Sequence, residues 1–254
     1  MEFLHELKQR NEPLFWFGLI CLILALACLL LTKISGIQVL GTSAWYKPFK
    51  FFLSTAIFVW SMGWYTHYLN EPSKVLWYSW GLIILFTIED VYIFIQAMRG
   101  TTSHFNVSNG FYSFMWAAMG ICAVGISIWT AVVGIGFFNR SFPELEPAYL
   151  WGIRLGLIVF VIFSIEGMAM GARMAHTVGA ADGSEGIVVV NWSKQYGDLR
   201  IAHFFGMHAL QLLPLIGFFL LRDLRIFIPV ALAYGIFCTF VLLQALQGKP
   251  WIGR

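Results

Sequence analysis

Between Gly197 and Pro214 an apolar run carries Arg200, His203, His208 and Gln211, side chains able to move protons, hold a metal or grip an anion. Wound as a helix at about 100° per residue, His203 falls about −60° from Arg200, Met207 about −20°, Gln211 about +20° and His208 about +80°. The polar groups share one side, and the other side is aliphatic or aromatic. In lipid, such a helix must turn its polar side toward other protein or a water-filled cavity.

Two further runs repeat the design. From Glu89, the residues Tyr92, Gln96 and Arg99 fall at about −60°, −20° and −80°. From Glu166, Met170 falls at about +40° and Arg173 at about −20°. Each run sets an intramembrane Glu about two turns from an Arg nearer one membrane face. An ionisable group at such depth is a functional-site candidate by default. The plainer account is a hydrogen-bonded structural carboxyl, with an Arg that snorkels to the interface.

His104, His176, His203 and His208 belong to the same end of the chain's long runs. Histidine is the commonest metal ligand and the usual proton shuttle near neutral pH. His203 and His208 are five apart, about 140° around a helix, so they face different neighbours rather than chelating one metal as an i, i+4 pair would. Lys47, Lys50, Arg99, Arg173 and Arg200 add cations that suit a carboxylate, a lipid phosphate or haem propionates. The expected site therefore has Glu89, Glu166 and His208 in catalysis. His104, His176, His203 and His208 would be ligands of a transition metal or haem b. Lys47, Lys50, Gln96, Arg99, Arg173, Arg200 and Gln211 would hold a lipidic or small anionic substrate.

The elements that must position these groups are membrane spans. Of 254 residues, 59% are hydrophobic and 11% charged, where a soluble domain would carry about 25% charged residues. The pattern predicts an all-α, polytopic membrane protein: one membrane domain over 1–254, a seven-transmembrane-helix bundle with a polar cavity open to one face. The spans are 14–32, 49–68, 75–98, 111–138, 148–172, 200–221 and 226–247, each near the roughly 20 residues that cross the hydrocarbon core. The connections 69–74, 139–147 and 222–225 are short. Those at 33–48, 99–110 and 173–199 are long and polar. The last of these is a lid-like loop, in which 187–190 either forms a short strand or lies on the membrane surface, with Asp198 as the N-cap of the helix that follows.

Spans 3, 5 and 7 end alike, in Gln96-Ala97-Met98-Arg99-Gly100, Met170-Gly171-Ala172-Arg173-Met174 and Gln244-Ala245-Leu246-Gln247-Gly248. This reads as a shared helix stop. Lys and Arg lean toward the long-loop face, which the positive-inside rule places in the cytoplasm. The expected location is the bacterial inner (plasma) membrane. The four cysteines, Cys21, Cys28, Cys122 and Cys238, all lie in apolar runs and form no metal spacing.

A net charge of +3 with no basic run outside the loops excludes a nucleic-acid partner. Span 7 holds no Lys, which excludes a retinal Schiff base there. The inventory Ser103, His104, His176, Asp198, His203 and His208 loosely resembles that of seven-helix metal hydrolases of the ceramidase and adiponectin-receptor type, but order and spacing do not match and no role is carried over. The reading is a metal- or haem-dependent membrane enzyme or redox protein. The alternatives are a proton-coupled or anion transporter, and a non-catalytic sensor or assembly factor.

Overall fold

A computed structural model of the chain describes residues 2–183, 186–187 and 189–251. It is built on long helices: α1 (Glu2–Arg10), α2 (Glu12–Ile34), α3 (Tyr46–Thr66), α4 (Pro72–Met98), α5 (Gly110–Phe138), α6 (Pro147–Arg173), α7 (Leu199–Leu215) and α8 (Leu224–Leu246). A π-helical turn, Ile216–Leu220, extends α7. Among the described residues six helices are long and apolar enough to cross a membrane: α2, α4, α5, α6, α7 with its extension, and α8. The seventh expected span, 49–68, corresponds to α3. It has the length, 21 residues, but is less apolar: Lys47 and Lys50 stand in its first turns, and Ser54, Thr55, Ser61 and Thr66 follow. The count of seven spans thus reduces to six on apolarity alone.

The chain divides into two compact units, Met1–Ile126 and Ser127–Arg254. In the first, α2 runs along α3, and α4 packs on both. Asn11 begins α2 by accepting from the Leu14 N–H at 3.1 Å, and its Nδ2 donates to Ser79 Oγ of α4 at 2.8 Å. One side chain therefore caps a helix and pins it to a neighbour. The amphipathic α1 was not foreseen. It buries Leu7, and Arg10 lies 3.9 Å from the Trp64 ring centroid.

In the second unit α6 and α7 make the most intimate pair. Gly152 and Gly156 form a G-x-x-x-G stripe, and a Cβ at either would strike the α7 backbone, at Leu213–Pro214 and at Ala209–Leu210. Small residues at this spacing let two helix backbones approach in lipid, where dispersion and not water exclusion drives association. Pro214 lacks an N–H within α7, and the backbone loosens into the π turn directly after it.

Helices α4, α6 and α8 share one ending, as their sequences predict. Each is followed by a residue of positive φ: Gly100 at +64°, Met174 at +52° and Gly248 at +74°. Two short antiparallel ladders were not expected. β1 (Gln38–Val39) pairs with β2 (Thr42–Ser43) across Leu40 and Gly41, both at positive φ as a two-residue hairpin requires. β3 (Thr177–Val178) pairs with β4 (Gly197–Asp198) and closes the 173–199 loop at its neck. In the stretch 187–190, Val188 lies outside the described residues, and Val189 and Val190 form a turn rather than a strand, with Val189 at φ +73°. Ser184 and Glu185 of the same loop also lie outside the described residues.

Candidate functional site

Within the first unit, α4 carries the polar interior. Glu89, Tyr92 and Gln96 are all buried, as one stripe predicts, while Arg99 beyond the helix end is exposed. The Gln96 side chain is fully buried; Nε2 donates to the Thr102 carbonyl at 3.2 Å, whereas Oε1 has no hydrogen-bond partner among the described residues. The Tyr92 hydroxyl is likewise buried and unpartnered.

The strongest feature of this unit was missed. Asp90 is 2% exposed, and neither of its carboxyl oxygens has a hydrogen-bond partner among the described residues. Thr55 of α3, whose hydroxyl is the neighbouring donor, and Cys21 of α2 lie near it. Glu89, next in sequence, interacts electrostatically with Asp90, and Cys122 of α5 lies within its field. The signal was present as two consecutive acids in an apolar run. Because neighbours on a helix differ by about 100°, a one-stripe reading follows Glu89 and discards Asp90.

At the loop end of this unit, His104 sits among rings: Phe51 at 5.6 Å, Trp116 at 5.6 Å and Phe105 at 6.2 Å between centroids. Its Nδ1 is 3.3 Å from Ser103 Oγ. Lys47 Nζ lies 6.0 Å from the Phe51 ring, and Lys50 is half-buried one turn of α3 away.

The second unit pairs Glu166 with His203 across α6 and α7. Only 7% of the Glu166 side chain is exposed, and both its carboxyl oxygens lack a hydrogen bond among the described residues. His203 Nδ1 is 3.6 Å from Glu166 Oε2 but donates to the Phe163 carbonyl at 2.7 Å. A carbonyl only accepts, so Nδ1 carries a proton and Nε2 is the nitrogen that can gain or lose one. Two glycines make room for this arrangement. Gly167 faces the imidazole of His203, and Gly206 takes the ring of Phe163. One helical step along, His208 Nδ1 lies 3.3 Å from Gln211 Oε1, with the Phe204 ring at 4.4 Å.

Loop residues have other commitments. Asp198 caps α7 and is fully buried in its side chain. It accepts from Arg200 Nε at 2.9 Å, from Arg200 Nη2 at 2.5 Å and from the Ser193 N–H at 2.9 Å. Arg200 also donates to the Asn191 carbonyl at 2.5 Å. The cation expected to hold substrate is thus tied to its own loop. Arg173, the last residue of α6, is exposed.

Asp182 accepts from His176 Nδ1 at 2.6 Å and from the backbone N–H groups of His176 and Thr177. Burial alone would raise its carboxyl; the His176 ring and the two N–H groups outweigh that and hold it well below the usual carboxylate range. A depressed folded pKa stabilises the loop above the unfolded value of about 4, and the contribution is lost as pH falls below that toward the folded value. Exchange protection of the His176 and Thr177 amides should therefore hold at neutral pH and decline in acid below about pH 4. Asp182→Asn should weaken protection at neutral pH and flatten that dependence. Protection that ignores both pH and the substitution would show the clasp to be unimportant.

His104 belongs to the first unit, and His176, His203 and His208 to the second. Among the described residues no three His, Cys, Asp or Glu side chains gather into a group that could hold a metal. His203 offers Nε2 as a ligand, but it does so without the further donors that a transition metal or an axially held haem needs.

Fold and interior together define an all-α, multi-pass integral membrane protein with buried carboxyl groups in its spans. No family model, no curated protein and no solved structure matches the chain.

Proposed function

We propose that the chain is a proton-coupled carrier of a small solute in a bacterial inner membrane. Its working groups are Asp90 with Glu89 in one unit, and Glu166 with His203 in the other. In this reading α3 crosses the membrane as a seventh span and seats Thr55 beside Asp90. One observation carries the reading: two carboxyl groups within spans, those of Asp90 and Glu166, are buried, and their oxygens have no hydrogen-bond partner among the described residues. Burying a polar group without a partner costs several kcal/mol, and each such seat is completed by a proton or by a bound cation. His203 of the same helix pair brings Nδ1 to 3.6 Å from Glu166 Oε2, and its other ring nitrogen, Nε2, supplies a second exchangeable position. Intramembrane carboxyl and imidazole groups of this kind form proton relays in pumps and transporters. The metal- or haem-enzyme reading lacks an assembled donor set, and a Soret band lost in His203→Ala would revive it.

The test uses purified protein in pyranine-loaded liposomes, challenged with small carboxylic acids and small amines. At least one class should drive proton movement about tenfold above protein-free vesicles, and Asp90→Asn or Glu166→Gln should abolish it. Proton movement that no solute evokes in the wild type, or that survives both substitutions, would end the proposal.

A further inference from the structure

We propose that the α5–α6 turn and the groove beneath it form a site for one anionic phospholipid, its phosphate against Arg154 and Arg140 and one acyl chain along the two helices. Both helices are membrane spans by length and composition, so the turn joining them lies at a membrane surface. That surface holds an open pocket of about 500 Å³, lined by Arg154, Arg140, Asn139, Ser141, Phe138 and Trp151 among others. No carboxylate lines it, although Glu144 and Glu146 stand in the same turn. Beside it runs a groove of about 390 Å³ with purely apolar walls, including Ile135, Leu157, Ile158 and Ile162. Phe138 lines both spaces, so the cationic chamber and the apolar trough adjoin. A polar, positive head chamber continuing into an apolar trough matches an anionic lipid and neither a free anion nor a purely apolar molecule.

Arg154 is prepared for a phosphate. Its Nε donates to the Phe137 carbonyl at 2.9 Å and its Nη2 to the Arg140 carbonyl at 3.3 Å. The ring of Phe138, 5.4 Å away, and that of Trp151, 5.3 Å away, flank the guanidinium. Two bonds and two rings fix the plane, and neither bond uses Nη1. The two carbonyls that Arg154 satisfies lie at the carboxyl end of α5, whose partial negative charge would otherwise repel a phosphate. The helix end is neutralised by the same side chain that would receive the ligand.

The test is a native mass-spectrometry titration of delipidated protein with phosphatidylglycerol and with phosphatidylcholine of identical acyl chains. Wild type should bind phosphatidylglycerol about tenfold more tightly, because both lipids offer the phosphate but the choline cation of phosphatidylcholine meets Arg140 and Arg154 with like charge. Arg140→Gln and Arg154→Gln should each remove most of that preference. Gly134→Phe, which places a ring in the groove, should weaken both lipids alike. Arg154→Gln also uncaps α5; if it fails to fold, Arg140→Gln decides the question, because the Arg140 group that accepts from Arg154 is its backbone carbonyl, which the substitution keeps. Equal binding of the two lipids by wild type would overturn the proposal. So would a preference that persists in Arg140→Gln, or unchanged binding in Gly134→Phe.

Discussion

Asp198→Ala is expected to destabilise the second unit by about 3 kcal/mol, the low end of what breaking a buried ion pair costs. The low end applies because Arg200 keeps 26% of its side chain exposed, while Asp198 keeps none. Three losses coincide. The guanidinium of Arg200 loses both contacts to its carboxylate, the Ser193 N–H loses its acceptor, and α7 loses its N-cap. The cap alone accounts for about 1 kcal/mol. A double-mutant cycle separates the terms. In Asp198→Ala, Arg200→Met the unpaired guanidinium is gone, so part of the loss should return. Denaturation in mixed detergent micelles reads the stability, and exchange at the Leu199 amide, which donates to the His176 carbonyl at 3.1 Å, reads the neck of the loop. A change under about 0.5 kcal/mol in Asp198→Ala would mean that the pair is an incidental surface contact.

This pair also shows where sequence reasoning stops. The sequence predicts Asp198 as an N-cap, which it is, and Arg200 as a cation for substrate, yet the two are partners two residues apart. Periodicity orients a side chain around a helix axis, but it does not reveal that the residue before the helix turns back upon it. The His176–Asp182 clasp is hidden for the same reason, since it depends on a loop path with no period. The spans are a different matter. An apolar run must become a helix in lipid because every backbone group has to be satisfied internally. The expected 111–138 and 148–172 accordingly reappear as Gly110–Phe138 and Pro147–Arg173. Helix α3 marks the edge of that logic, because a helix surrounded by protein no longer needs the apolarity by which spans are recognised. The Gly152–Gly156 spacing stands in the sequence, but nothing there singles it out, since close approach is a property of two helices and the partner on α7 appears only in the fold.

Asp90→Leu should raise stability while ending function. Leucine keeps the branching at Cγ and replaces two oxygens that have no hydrogen-bond partner among the described residues. Exchanging buried charged groups for apolar ones of similar shape is often neutral or stabilising by about 1–4 kcal/mol. Leucine is somewhat larger than aspartate, and Asp90 is only 2% exposed, so overpacking takes back part of the gain. The expected net gain is about 1 kcal/mol, read as a higher midpoint of detergent denaturation. In the same protein, solute-driven proton movement should fall to the protein-free background. A purely structural carboxyl predicts the reverse order: Leu would destabilise and Asn would be tolerated in both assays. Only a group kept at a cost to stability, for work that requires a proton or a cation, gives a variant that is more stable and inactive. Loss of more than about 1 kcal/mol in Asp90→Leu would place Asp90 among the structural groups and leave the carrier reading on Glu166 and His203 alone. Glu166→Leu divides that remainder in the same way, because neither of its oxygens has a hydrogen-bond partner among the described residues and Oε2 lies 3.6 Å from His203 Nδ1.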